Sequence, residues 1–71
     1  MTSEASALVV DARGMKCPWP ALRLARAMRG EAAVTLLADD PQAAREIAAL
    51  AAEHGWVLEG ETDGRWLVRR S

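Results

Sequence analysis

The sequence holds a single cysteine, Cys17. That excludes an internal disulfide and any Cys-x-x-Cys redox pair. There is also a single histidine, His54. One Cys and one His cannot supply the roughly four ligands of a structural zinc site, so no metal or cofactor is expected. A cysteine hydrolase needs a histidine base within reach of its thiol. Here the histidine falls at the C-terminal end of the second helical pattern, and the cysteine falls at the start of the first. Parallel β-α-β connections place those two ends on opposite edges of a sheet. No apolar run approaches the roughly 20 residues of a membrane helix. Met1 to Ser6 lacks the basic start and apolar stretch of a secretory signal. A reducing, cytoplasmic setting is therefore expected for the unpaired thiol. The net charge of −1 argues against polyanion binding by the molecule as a whole. No repeat, linker or low-complexity segment interrupts the chain.

Alanine inflates the 51% hydrophobic content, so bulky core residues are few. A 71-residue chain is read as one domain, residues 1–71, with residues 1–6 as a frayed tail. Its core must be thin, because so short a chain buries only about 60% of its unfolded surface. The charge is unevenly placed. Residues 1–30 carry five cations against two acids, a balance of +3. Residues 31–71 carry four arginines against eight acids, a balance of −4. The thiol lies in the basic part of an acidic protein.

Ala7 to Asp11 is a short apolar run with β-branched residues and reads as a buried strand. Ala12 to Lys16 is a loop, with Gly14 free to take positive φ. Pro18 to Arg29 shows helical periodicity and stops at Gly30. Ala33 to Ala38 is a second strand. Asp40 as N-cap and Pro41 at the first helical position open a second helix, which ends before Gly55. Residues 56–61 and 66–69 form two further strands around an Asp63-Gly64 hairpin turn. The string is βαβαββ. It predicts an α/β two-layer sandwich: a four-stranded mixed sheet with both helices on one face.

At about 100° per residue, Ala21, Leu24, Ala25 and Met28 share the inner face of the first helix. Trp19, Leu22, Arg23, Arg26 and Arg29 share the outer face. In the second helix Ala43, Ala44, Ile47, Leu50, Ala51 and His54 point inward, with His54 partly buried. Gln42, Arg45, Glu46 and Glu53 point outward. Trp56 and Trp66 read as strand packing, and Asp39-Asp40 as helix capping in preference to a metal site.

The chain centres on Gly14-Met15-Lys16-Cys17-Pro18-Trp19-Pro20. Proline suits the first turn of a helix, so Pro18 is expected as the first helical residue with Cys17 as the N-cap. Pro20 has no N–H, which leaves the Trp19 amide as the backbone donor to the sulfur. The helix dipole and Lys16 add positive charge, and a thiol pKa about one unit below its reference near 8.5 is expected. What remains is single-thiolate chemistry: accepting and passing on sulfur, a disulfide or an acyl group, with the second thiol supplied by another protein. Trp19, Leu22, Arg23 and Arg26 form the candidate docking stripe, since an exposed Trp beside cations is a common interface anchor. Three outward arginines are too few to expect direct nucleic-acid binding.

Three blocks resemble one family. Leu8 to Pro20 (LVVDARGMKCPWP) resembles the signature of the TusA/SirA-like sulfur carriers, built on a Cys-Pro-x-Pro motif that opens the first helix. Ala38 to Ile47 (ADDPQAAREI) resembles the start of that family's second helix, and Glu53 to Arg69 its C-terminal hairpin. The resemblance implies a βαβαββ fold with sheet order 1-2-4-3 and the last strand antiparallel. It implies that Cys17 receives a persulfide sulfur from a cysteine desulfurase or other sulfane donor and passes it to a downstream acceptor protein. Family branches serve tRNA 2-thiolation, molybdenum-cofactor synthesis and related sulfur trafficking. A monomer is expected when the protein is free. The competing readings are a regulatory interaction module of the same fold and a thiol-redox partner.

Overall fold

A computed structural model describes residues 7–70; the expected N-terminal tail lies outside the described residues. The elements are β1 (Leu8–Asp11), α1 (Trp19–Met28), β2 (Ala33–Leu37), α2 (Ala43–His54), β3 (Val57–Thr62) and β4 (Arg65–Arg69). They form a four-stranded sheet in the order β1-β2-β4-β3. β1 runs parallel to β2, and β4 is antiparallel to both β2 and β3. The α/β reading and its strand order therefore hold.

Register explains the core. Val10 sits opposite Leu36, Val34 opposite Val68, and Leu36 opposite Trp66. These residues share one sheet face and are buried with Leu24 and Met28 of α1 and Ile47 of α2. The helices thus cover the same face, as two amphipathic helices joined by crossover connections must. The opposite face carries Val9, 60% exposed, beside Thr35 and Leu67. A bulge between Leu58 and Gly60 shifts the β3–β4 register.

Both helices start later than their sequence signals. Leu22 N donates to Pro18 O at 3.1 Å, the first bond of the α1 ladder, so Pro18 is the N-cap. Cys17 lies one residue outside it, not in the cap as expected. In α2 the N-cap is Gln42, not Asp40. Asp40 closes a preceding turn instead: its Oδ1 accepts the Gln42 amide at 2.8 Å and its carbonyl the Ala43 amide at 2.9 Å. The C-terminal end of α1 is closed by a distant residue. Arg70 Nη2 donates to Met28 O at 2.7 Å and to Arg29 O at 3.2 Å. Gly30 follows this end without a left-handed φ, whereas Gly55 takes one, φ 74, at the end of α2.

The inner face of α1 is as expected, with Ala25 half-buried. Two α2 assignments need correction: Ala44 and His54 are both exposed. His54 stacks on Trp56 with centroids 4.6 Å apart, so its ring lies at the surface on the outer side of Trp56, which packs against the core. Trp56 precedes β3, while Trp66 is core.

The hairpin turn makes a sharp demand on sequence. Asp63 and Gly64 both have positive φ, 40 and 78, the pattern of a type I′ turn. Gly64 O accepts the Ala38 amide at 2.9 Å, which ties the turn to the end of β2. A Cβ at Gly64 would stand 2.3 Å from Ala38 O. Gly64→Ala is therefore expected to lose at least about 1–2 kcal/mol from backbone conformation alone. A thermal melt should drop by about 4–8 °C per kcal/mol. Gly14→Ala meets no neighbour and should lose only the backbone part; equal melts for the two variants would contradict this account.

Candidate functional site: the Cys17 loop and its acidic clamp

Because β1 and β2 are parallel, the loops that follow them lie side by side at one sheet edge. Residues 12–18 form the first loop and residues 38–42 the second. Within the first, Met15 N donates to Ala12 O at 3.1 Å, and Gly14 takes φ 85. Asp11 takes the Arg13 guanidinium through both oxygens, with contacts of 2.9 and 2.8 Å, which holds the Asp11 carboxyl at about 2. The Cys17–Pro18 peptide is cis.

The second loop grips the first. Asp39 Oδ1 accepts the Gly14 amide at 2.9 Å, and Asp40 Oδ2 accepts the Cys17 amide at 2.7 Å. Asp40 thus spans two amides, Cys17 on one oxygen and Gln42 on the other. Those amides, Gln42 first and then Cys17, hold its carboxyl below the usual aspartate range, with help from the charge of Lys16. Between the two loops lies a cleft of about 260 Å³ lined by Gly14, Met15, Lys16, Asp39, Asp40 and Pro41.

Cys17 itself is a free, half-buried cysteine. Its thiol is pushed up, not down: burial is the largest cause, followed by a hydrogen bond to Glu46 and the charges of Glu46 and Asp40. This corrects the expected depressed thiol. The donor assigned to the sulfur is engaged elsewhere, since Trp19 N donates to Lys16 O at 2.9 Å. No backbone donor is aimed at the sulfur from the cap, and burial first and then the nearby carboxylates act against the helix dipole, which is worth only ~0.3–1 kcal/mol at a surface.

The other expected residues divide by role. Pro18 is exposed, whereas Pro20 is buried and anchors the first turn in the core. Lys16 is exposed beside the cleft. Trp19 and Leu22 are 58% and 51% exposed, and Arg23, Arg26 and Arg29 share their outer face. Arg23 Nη1 reaches Met15 Sδ at 3.8 Å. Neither Arg23 nor Arg26 has an acidic partner within salt-bridge distance among the described residues. The stripe therefore presents bare cations around two apolar groups, close in sequence to the thiol. His54 stands at the far end of α2, about 16 Å along that helix from its start at a rise of ~1.5 Å per residue, and the loop holding Cys17 is tied to that start.

Sequence reasoning missed Asp39, Asp40 and Glu46. In sequence, capping accounts for both aspartates, and the helical projection turns Glu46 outward. One available signal was the parallel pairing itself, which obliges acids following the second strand to face the loop following the first. Glu46, in the first turn of α2, is half-buried at that same junction.

Among the described residues no group of three His, Cys, Asp or Glu side chains is placed to hold a metal ion. No helix is long and apolar enough to cross a membrane. No curated protein matches the chain. Among solved structures, a SirA-like protein from Desulfitobacterium hafniense is similar, with 28% identity and a TM-score of 0.65. The match covers 86% of this chain and 90% of that one. A family model described as sulfurtransferase TusA matches residues 8–70. The chain belongs to the TusA sulfurtransferase family.

Proposed function

We propose that the protein is a sulfur carrier whose acceptor atom is Cys17 Sγ. A donor protein, a cysteine desulfurase or another sulfane source, presents a persulfide. Cys17 Sγ bonds to its terminal sulfur, the donor S–S bond breaks, and the donor cysteine leaves as a thiol. Cys17 then carries a persulfide to a downstream acceptor protein, and tRNA 2-thiolation and molybdenum-cofactor synthesis are the pathways in view. The setting is cytoplasmic, where an unpaired thiol stays reduced. One observation carries this reading: a lone thiol in a loop whose backbone is clamped by Asp39 and Asp40, with no second thiol and no histidine beside it. Such a site can pass a group along but has no partner for closing a disulfide or activating water.

The direct test is mass spectrometry after incubation with a cysteine desulfurase and cysteine. The expected product is heavier by one sulfur atom and returns to its starting mass on reduction. No gain with any sulfane donor rejects the reading.

The Trp19, Leu22, Arg23 and Arg26 stripe is the docking surface in this proposal. Lys16 and Gly14 line the cleft between the two loops. Arg23→Glu/Arg26→Glu replaces two unpaired cations with acids, and like charge across an interface costs several kcal/mol. Loading from a donor protein is expected to slow by roughly tenfold or more. Loading from inorganic polysulfide, which needs no docking, should not change. Equal loss with both donors would remove the stripe from the docking role.

A further inference from the structure

Given the sulfur-carrier reading, on which this inference rests, a docked donor must meet the Cys17 sulfur at one place relative to the α1 stripe. Yet the residue that carries the sulfur belongs to a loop and not to the helix, since Pro18 is the N-cap of α1. We propose that Asp40 is a positioning residue for sulfur transfer, fixing the Cys17 main chain against the start of α2. Its Oδ2 accepts the Cys17 amide at 2.7 Å and its Oδ1 the Gln42 amide at 2.8 Å. One half-buried side chain thus bridges two segments that are distant in sequence.

The bridge runs from the core to the sulfur-bearing residue. Gln42 is the N-cap of α2, and α2 is anchored in the core by Ala43 and Ile47. The Gln42 bond holds Asp40 to that anchored helix, and the Cys17 bond passes the constraint to the loop. Both bonds have an ionised acceptor, the shorter and stronger class. Asp39 does less, because it holds only the Gly14 amide, through one oxygen at 2.9 Å. Placement of a reacting group is worth a large factor: an error of about 1 Å can cost ~100-fold in rate. Asp40 acts only through the main chain of Cys17 and takes no part in the covalent step.

The test is single-turnover loading from a persulfide-charged cysteine desulfurase, followed by intact mass over a range of donor concentrations. Asp40→Ala removes both bonds. Asp40→Asn keeps the shape but offers an oxygen to only one of the two amides, so whichever bond it keeps, the bridge is broken. Either variant is expected to lower the saturating rate about tenfold or more, with the half-saturating donor concentration within about twofold of wild type, because the stripe is untouched. Arg23→Glu/Arg26→Glu should show the opposite split. Loading from inorganic polysulfide, which needs no fixed orientation, should not slow in the Asp40 variants; loss of the Asp40 charge, which pushes the thiol up, works in its favour. Hydrogen exchange at the Cys17 amide should speed up in Asp40→Ala.

An unchanged saturating rate in a folded Asp40 variant overturns the inference. So does a loss confined to the half-saturating concentration, which would make Asp40 a docking residue. Equal slowing with polysulfide also overturns it, since the effect would then lie in thiol reactivity and not in placement. Failure of the wild-type protein to load from any sulfane donor would reject the carrier reading itself, a result distinct from all three.

Discussion

Cys17→Ser protein is expected to take up no sulfane sulfur from any donor while keeping its fold. A hydroxyl is far less acidic than a thiol and cannot hold sulfur in a stable S–S linkage, and no other cysteine is present to substitute. The fold survives because the clamp acts on the main chain. Asp40 accepts the amide of residue 17, which serine retains. The Cys17 side chain is only half-buried and outside the core, so a change in stability within about 0.5 kcal/mol is expected. Intact mass before and after reduction measures the first effect, and a thermal melt the second. A mass gain that persists in this variant would place the acceptor elsewhere. If the variant also kept partner binding and cellular phenotype, the regulatory-module reading would displace the carrier.

Trp66→Ala should have the largest effect on stability. Trp66 is 4% exposed and sits opposite Leu36 in the sheet, within the cluster shared by both helices. Truncating a buried Trp to Ala typically costs about 3–5 kcal/mol through lost transfer energy and the cavity left behind. A 71-residue domain at ~0.05–0.15 kcal/mol per residue has only about 4–11 kcal/mol in total. The variant should therefore show a urea midpoint reduced by between about a quarter and all of its value, followed by far-ultraviolet circular dichroism. The loss also reaches the site. Trp66 lines a cleft with Asp39, Asp40, Pro41 and Gly64, so its removal loosens the support behind the two acids that hold the Cys17 loop. Sulfur loading should fall with stability. A cost below about 1 kcal/mol would mean that the core is organised around other side chains.

Different parts of the molecule were legible from different distances along the chain. Apolar periodicity in the two helices records which face each buries, and neighbours within a turn settle that; the apolar run at residues 8–11 reads as a buried strand, whereas only Val10 of it is buried, because β1 is an edge strand with one open face. The βαβαββ string then leaves few sheets to choose from, because crossovers between parallel strands are right-handed. The outer stripe of α1 followed from the same geometry. Helix starts were less legible. Pro18 and Pro41 both fit a first helical position, yet each falls in a turn just before the helix, since side-chain and backbone bonds from Asp40 and Lys16 close those turns first. His54 was misplaced as well: it is exposed and stacks on Trp56, a contact made with a residue beyond the end of the helix.

By itself the sequence determined that there is one thiol, that it lies between a strand and a helix, that no histidine or second cysteine can serve it, and that cations and a Trp follow it. Each of these is a matter of composition or of spacing within a few residues. Only the tertiary structure decided what surrounds the sulfur. Asp40 and Cys17 are 23 residues apart, and Glu46 is farther still along the chain. Their meeting depends on two parallel strands delivering two loops to one edge. Thiol acidity follows from burial and from charges and donors within a few ångströms, whatever their order in the chain, so local reading recovered the helix end and Lys16 but not the burial and the carboxylates that push the thiol up.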